Sequence, residues 1–506
     1  MKTIYMNGNI ITLENSIVNA VVEENGKIIA VGNKENIYQE GMKIVDLQGK
    51  TLMPAFLDVH GHFTAYATYL MYIDLRNTRS IIEIKKKIKE YILNNKNKTI
   101  IKAKGYDHNY LIENRHLTRK ELDNISKDKA IIVEHQSGHM GIFNTKALNL
   151  LNINKENSLY EKGLLEENEY IEAIKQIPME DTKEYIDAML KTQYIYASYG
   201  ITTIQEGYMN NNLYEIYEEL IDNQNLILDV VGYVDFLAFE LLKRFKNHIH
   251  KYVHHFKIAG YKMFLDGSPQ LKTAWVEEPY KDGTYGIPTL DSLTVYNYLK
   301  RSIVEGMQVI THCNGDRAIK LYLDEYQKFK HDKDIRPVII HAQLLREDQL
   351  DQVKKLKMIP SFFVSHVYYW GDIHTKNLGI ERASKMSPAN SCLEKGITFT
   401  FHNDSPIIEP NILETIWCAV NRITKEGRKF DKEKIPVKEA IKAVTIHAAY
   451  QYHEENEKGS IRVGKNADFI ILDQDILKIN PMKIKDIQIL KTIKNGKVIY
   501  EKKNIQ

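Results

Sequence analysis

Cysteine is scarce in this chain. Cys313, Cys392 and Cys418 are the only three in 506 residues, an odd number with no Cys-x-x-Cys spacing. That argues against a disulfide framework and for a reducing compartment. Long apolar runs are missing too. None approaches the roughly 18 residues that a membrane span needs. The opening "MKTIYMNGNIITL" alternates and turns at Asn7-Gly8, where a secretory signal would build an apolar segment. The expectation is a cytoplasmic protein with no membrane partner. Nor does one sign of charge dominate. Sixty-nine Lys and Arg against 66 Asp and Glu leave a formal net charge of +3, which gives no argument for a nucleic-acid partner. The lysine-rich "KKKIKE" (85–90) sits among Ile81, Ile84, Ile88 and Ile92, and that near-helical spacing predicts a solvated amphipathic helix. Repeats and low-complexity tracts are absent as well.

What remains is an ordinary globular composition, 43% hydrophobic and 27% charged. The length predicts a large domain with a smaller companion. Both ends read as β structure. "NAVVEENGKIIAVG" (19–32) alternates around Asn25-Gly26, and "KTIKNGKVIYE" (491–501) around Asn495-Gly496, with "ADFIILD" (467–473) as a buried strand. Residues 1–53 and 453–506 are therefore expected to build one composite β-sandwich domain.

The middle, 54–452, changes rhythm. Eight short apolar runs end in polar residues and precede helical stretches: "AFLDVHGH" (55–62), "ITTIQEG" (201–207), "LILDVVGYVD" (226–235), "YKMFLDGS" (261–268), "MQVITHCNGD" (307–316), "PVIIHAQ" (337–343), "MIPSFFVSH" (358–366) and "ITFTFHNDSP" (397–406). Alternating strands and helices predict parallel βα units, and eight of them an α/β fold closed as a (β/α)8 TIM-like barrel. About 135 residues separate the first run from the second. They contain strand candidates at 99–107 and 130–136 and a helix at 182–199, so an inserted α+β subdomain, lid-like and spanning about 72–182, is expected.

Barrel chemistry gathers at the C-terminal ends of the strands. His60 and His62 stand one residue apart at the first such end and would share a face with Asp58 if the strand continued. Alone, His-x-His is a weak signal. Lys262 on the fourth strand, His312 on the fifth, His341 on the sixth and Asp404 on the eighth make six metal-capable groups that barrel closure would bring to one mouth.

Taken in order, "DVHGH" (58–62), "ASYGITTIQEG" (197–207), "YKMFLDGSPQLKTAW" (261–275), "THCNGDRAI" (311–319), "VIIHAQ" (338–343), "FHNDSP" (401–406), "AIKAVTIHAAY" (440–450) and "GSIRVGKNADFIILD" (459–473) resemble the amidohydrolase superfamily, in its YtcJ-like branch of metal-dependent hydrolases, the amidohydrolase 3 group. The resemblance spans essentially the whole chain. It implies two divalent metal ions, zinc by the histidine-rich set, although iron or manganese would fit as well. His60, His62 and Asp404 would hold one ion, and His312 and His341 the other. Lys262 would bridge both as a carbamate, carboxylated by carbon dioxide or bicarbonate. A metal-activated hydroxide would attack a C–N bond, amide or N-acyl/N-formyl amine, in a small-molecule substrate, with Asp404 as general acid and base. Size and likeness imply a homodimer.

Asp266, Gln343, His366, His402 and, in "SGHMGIFN" (137–144), His139 are candidates for substrate contact or for holding the ligands. The eighth strand departs from the branch's common Gly-Ser-Asp, reading His402-Asn403-Asp404, and "SPQLKTAW" replaces a glycine- and arginine-bearing loop. Substrate contacts therefore do not transfer. Three alternatives compete: a mononuclear deaminase, an N-acyl amino acid deacylase, and a non-catalytic barrel that only binds. The deaminases of this superfamily lack the fourth-strand lysine and place a glutamate near a barrel histidine, where this chain reads "HAQ".

Overall fold

A computed structural model describes residues 1–14, 18–136, 138, 140–153, 160–177 and 181–503. The chain divides into two compact units, one of residues 1–63 with 193–506 and one of 64–192.

In the first unit all eight runs are strands of one parallel sheet: β1 (Phe56–Leu57), β2 (Ile201–Met209), β3 (Asp229–Asp235), β4 (Phe256–Phe264), β5 (Gln308–Cys313), β6 (Val338–His341), β7 (Ile359–Phe362) and β8 (Thr400–Phe401). They pair in chain order, each parallel to the next. The first and last strands are joined just beyond their ends, where Asp404 N donates to His60 O at 3.0 Å and His62 N to Ser405 O at 2.8 Å. The bonds that close the sheet on itself thus lie in the segments carrying the candidate ligands. Strands buried on both faces need apolar side chains throughout. Leu57, Val231, Ile310, Val338, Ile340 and Ile359 supply them in one cluster with Tyr452. Backbones also come close. A Cβ on Gly260 would stand 1.9 Å from Gln308 O on the neighbouring strand, so the β4–β5 pairing requires glycine there.

Charged groups seal the N-terminal ends of the strands. Buried Asp229 accepts from Lys458 Nζ at 2.5 Å and Lys494 Nζ at 2.6 Å, and lies 2.7 Å from His255 Nδ1. Glu454 pairs with Lys257 and, at 2.7 Å, with Lys458. Such buried charges persist only because each has partners.

The chain ends form two further sheets. Thr3–Met6, Ala20–Glu24, Lys27–Gly32 and Lys43–Asp46 make a four-stranded sheet. Asn9–Ile10, Thr51–Pro54, Phe469–Leu472, Ile489–Lys494 and Lys497–Glu501 make a five-stranded one. Tyr5, Val21 and Ile28 from one and Leu52, Phe469 and Ile493 from the other share an apolar cluster. Both Asn-Gly hairpins turn with positive φ at each central residue, 52° and 82° at Asn25-Gly26, 47° and 72° at Asn495-Gly496. That twist suits a two-residue hairpin.

The second unit has its own five-stranded sheet, ordered Leu164–Glu166, Met140–Phe143, Ala130–His135, Ile100–Tyr106, Ile73–Asp74. The lysine-rich segment is the helix Ile81–Asn94, which buries Ile81, Ile84 and Ile88 and is capped by Ser80. Thr182–Ser198 is also helical. Among the described residues no helix is long and apolar enough to cross a membrane.

Candidate metal centre

The six barrel residues converge. Asp404 Oδ1 lies 3.6 Å from His60 Nε2 and 3.5 Å from His62 Nε2. Lys262 Nζ stands 3.2 Å from the same His60 nitrogen. The other carboxylate oxygen, Oδ2, is 4.0 Å from His341 Nε2, and that nitrogen is 3.1 Å from His312 Nδ1. Residues spread over more than 340 positions therefore present one carboxylate, one amine and four imidazole nitrogens to a common space.

Backbone geometry aims them there. β1 stops at Leu57, so His60 and His62 sit in the loop beyond it rather than on a continuing strand. Gly207 makes room for that loop, because a Cβ there would come within 2.9 Å of His60 Cε1 and of Gly61 O. His341 and Asp404 have φ of 70° and 54°, left-handed conformations that side chains other than glycine seldom adopt and that concentrate at functional sites.

The partners behind the imidazoles decide which nitrogen is free. His60 Nδ1 is 2.6 Å from Gln205 Oε1, whose amide nitrogen donates to Val59 O at 2.6 Å. An amide oxygen only accepts, so Nδ1 carries the proton and Nε2 offers a lone pair inward. His312 Nε2 lies between Gly267 O at 3.1 Å and Asn314 Nδ2 at 3.0 Å, which anchors the ring and turns Nδ1 toward His341 Nε2. His341 Nδ1 lies 3.2 Å from His402 Nε2, and His402 Nδ1 2.8 Å from Ser361 Oγ. A proton on His341 Nδ1 and one on His402 Nδ1 satisfy that relay and free His341 Nε2. This is the orientation that metal-binding histidines receive from the groups behind them.

Electrostatics agrees with the donor set. Burial, and then the charge of Lys262, holds His60 well below the usual histidine range and His312 down at about 4. Burial and the neighbouring imidazoles keep His341 well below that range. Burial pushes Lys262 down to about 7, toward the neutral amine that can react. For Asp404, burial works to raise the value, but the His62 contact and nearby positive charge outweigh it and hold the carboxyl below its ordinary range. Neutral imidazoles, an ionised carboxylate and an amine near neutrality fit divalent cations.

The remaining candidates separate. Asp58 turns away from the imidazoles, contrary to the shared-face expectation, and its oxygens lie 3.4 Å from Asn403 N and Nδ2. Burial lifts it to about 7. Asp266 accepts from Trp275 N, Asn314 N and Gly315 N at 2.7–3.0 Å, fixing the loops after β4 and β5 while standing 3.8 Å from His312. Gln343 is fully buried and spends its amide on Ser387 and Phe363. It does not share His341's direction, because His341 and Ala342 both have positive φ and the strand alternation ends there. His366 opens the helix His366–Leu378 and pairs with His374 at 3.2 Å. His402 is wholly buried behind His341. His139 lies outside the described residues. Sequence reasoning passed over Gln205, Ser361 and Tyr452, which bond to His60, to His402 and to the backbone of Asp58. Gln205 and Ser361 stood in runs already read as strands, and their only signal was a polar residue in an apolar run.

An eight-stranded parallel sheet with histidines, a lysine and an aspartate meeting at its C-terminal ends defines the class of barrel built for metal-dependent hydrolysis. The chain belongs to the amidohydrolase family, whose sequence pattern matches residues 43–500. It is 25% identical to YtcJ of Bacillus subtilis (strain 168), an amidohydrolase by name, over 99% of this chain and 100% of that one. It is 22% identical to the N-substituted formamide deformylase of Arthrobacter pascens, over 98% of each. An uncharacterized metal-dependent hydrolase from Pyrococcus horikoshii OT3 superposes with a TM-score of 0.83 at 28% identity, covering 95% of this chain and 99% of that structure.

Proposed function

We propose that this hydrolase cleaves a C–N bond other than a peptide bond, an amide or an N-acyl or N-formyl amine, at a binuclear centre. His60, His62 and Asp404 would hold one divalent cation, zinc by donor type, and His312 and His341 would hold the other. Lys262, as the carbamate formed with carbon dioxide, would supply them with anionic oxygen ligands. When bound, the cations polarise the scissile carbonyl and acidify water. Asp404 takes the proton of the attacking water and delivers it to the leaving nitrogen as the C–N bond breaks, giving a carboxylate and an amine. Gln205 and the His402–Ser361 pair keep the imidazoles turned inward throughout.

The observation that supports this reading is the convergence of His60 and His341 on the two oxygens of Asp404, with Lys262 Nζ 3.2 Å from the inward nitrogen of His60. A lysine in the fourth strand, beside His60, also supports this reading over a mononuclear deaminase. The formamide deformylase makes N-formyl amines the first substrates to try. The test is hydrolysis of N-formyl amines, N-acyl amino acids and cyclic ureides, with dipeptides as the contrasting peptide-bond substrates, by protein loaded with zinc in the presence of bicarbonate. Amine release by the native chain, with Asp404→Asn slower by about 10³-fold or more at retained metal content, is the expected result. Metal loading without any turnover, or an Asp404→Asn variant as fast as the native chain, refutes it.

A further inference from the structure

The unit of residues 64–192 carries its own group of metal-capable side chains. Two parallel strands, Ile100–Tyr106 and Ala130–His135, end side by side, with a register shift that sets His135 opposite Tyr106. The first runs on into Asp107 and the short turn His108–Tyr110. This brings His108 Nδ1 to 3.3 Å from His135 Nε2, and both nitrogens to Asp107 Oδ1, at 3.8 Å and 3.5 Å. Ligands at about 2.0–2.1 Å from a tetrahedral zinc stand about 3.4 Å from one another. The three atoms stand 3.3–3.8 Å from one another, within a few tenths of an ångström of that spacing.

A fourth group stands beside them. The His116 ring lies over that of His108, centroids 4.0 Å apart, and its Nδ1 is 3.0 Å from the Tyr106 hydroxyl. Tyr106 also packs edge-on against His135. A plain hydrogen-bonded turn accounts for part of this, since Asp107 Oδ1 accepts from Asn109 N and from Asn109 Nδ2, each 2.9 Å away. Beyond that turn, two imidazole nitrogens and one carboxylate oxygen face one another, with a third imidazole ring tilted alongside, a donor set that suits a transition metal. Burial and the adjacent imidazoles lower His108 and His116 below the usual histidine range, so their nitrogens are available as donors.

We propose that Asp107, His108 and His135 form a second transition-metal site of zinc type, separate in its ligands from the barrel set. The remaining tetrahedral position would go to water or to His116. A bound ion would tie the turn after one strand to the end of its neighbour.

The test uses the full chain, stripped with chelator and titrated with Zn2+. Zinc retained after gel filtration is counted by plasma emission, and histidine modification by diethyl pyrocarbonate is mapped by peptide mass spectrometry. The native chain should retain one more zinc than His108→Gln/His135→Gln. Zn2+ should slow modification of His108 and His135 at least 5-fold, in the native chain and equally in His60→Asn/His62→Asn. Protection that persists in this last variant separates the site from the barrel ligands. Equal zinc in the native chain and the His108/His135 variant overturns the proposal, as do modification rates indifferent to Zn2+. The protection measurement on the native chain needs no substitution, so it decides the matter even if a variant fails to fold.

Discussion

Replacing Lys262 with methionine should stabilise the metal-free protein while abolishing its chemistry. The side chain is 3% exposed and burial brings its amine down to about 7 from an ordinary 10.5. Between those values the unfolded chain holds a proton that the folded chain lacks, so native stability climbs as pH rises through the window. At pH 7 the mismatch costs about 4 kcal/mol and at pH 9 about 2 kcal/mol, taking 1.36 kcal/mol per pH unit. Methionine has similar length and no charge to desolvate. It gives up the contact with His60, 3.2 Å in the native chain and worth about 1 kcal/mol. The net gain is then about 3 kcal/mol at pH 7 and about 1 kcal/mol at pH 9. Urea unfolding in excess chelator, followed by tryptophan fluorescence at the two pH values, reads both. A midpoint at or below the native one at pH 7, or a gap that does not narrow by pH 9, would show that Lys262 is not a strained amine and would remove the physical basis for its carboxylation. The same variant loaded with metal should lose turnover if Lys262 serves the proposed centre as a carbamate.

His402→Ala removes the group behind His341 Nδ1, and metal affinity measured by competition with a chromophoric chelator should fall about 10- to 100-fold. Lys458→Met leaves buried Asp229 and Glu454 short of a cation. Stability at pH 7 should drop by about 3 kcal/mol, read as a lower Tm, with the metal content of the folded fraction unchanged. A Tm equal to the native value would mean that the cluster is no support for the barrel.

A crossover strand and a hairpin differ in how local their signals are. The Asn-Gly turns at 25–26 and 495–496 are dictated by two residues, because both centres need positive φ, and they were legible directly. The eight barrel runs were legible from rhythm, since strands buried on both faces must be apolar and the helices between them amphipathic. Asn7-Gly8 shows the limit. It turns as read, yet it passes the chain from the four-stranded sheet to the five-stranded one. Which sheet receives a strand depends on partners hundreds of residues away.

The same division runs through the candidate site. The sequence by itself determined the candidate donor types and their order along the chain, because imidazole, carboxylate and lysine side chains suit a metal centre and a barrel displays them at strand ends. Only the tertiary structure decided direction. It turned Asp58 to Asn403, spent Gln343 on Ser387, and set His402 behind His341 rather than beside the metal space. Side-chain alternation predicts direction while a strand lasts, but β1 ends at Leu57 and β6 at His341. Past those points positive-φ residues and bonds between distant loops set the orientation, and these exist only once the sheet has closed.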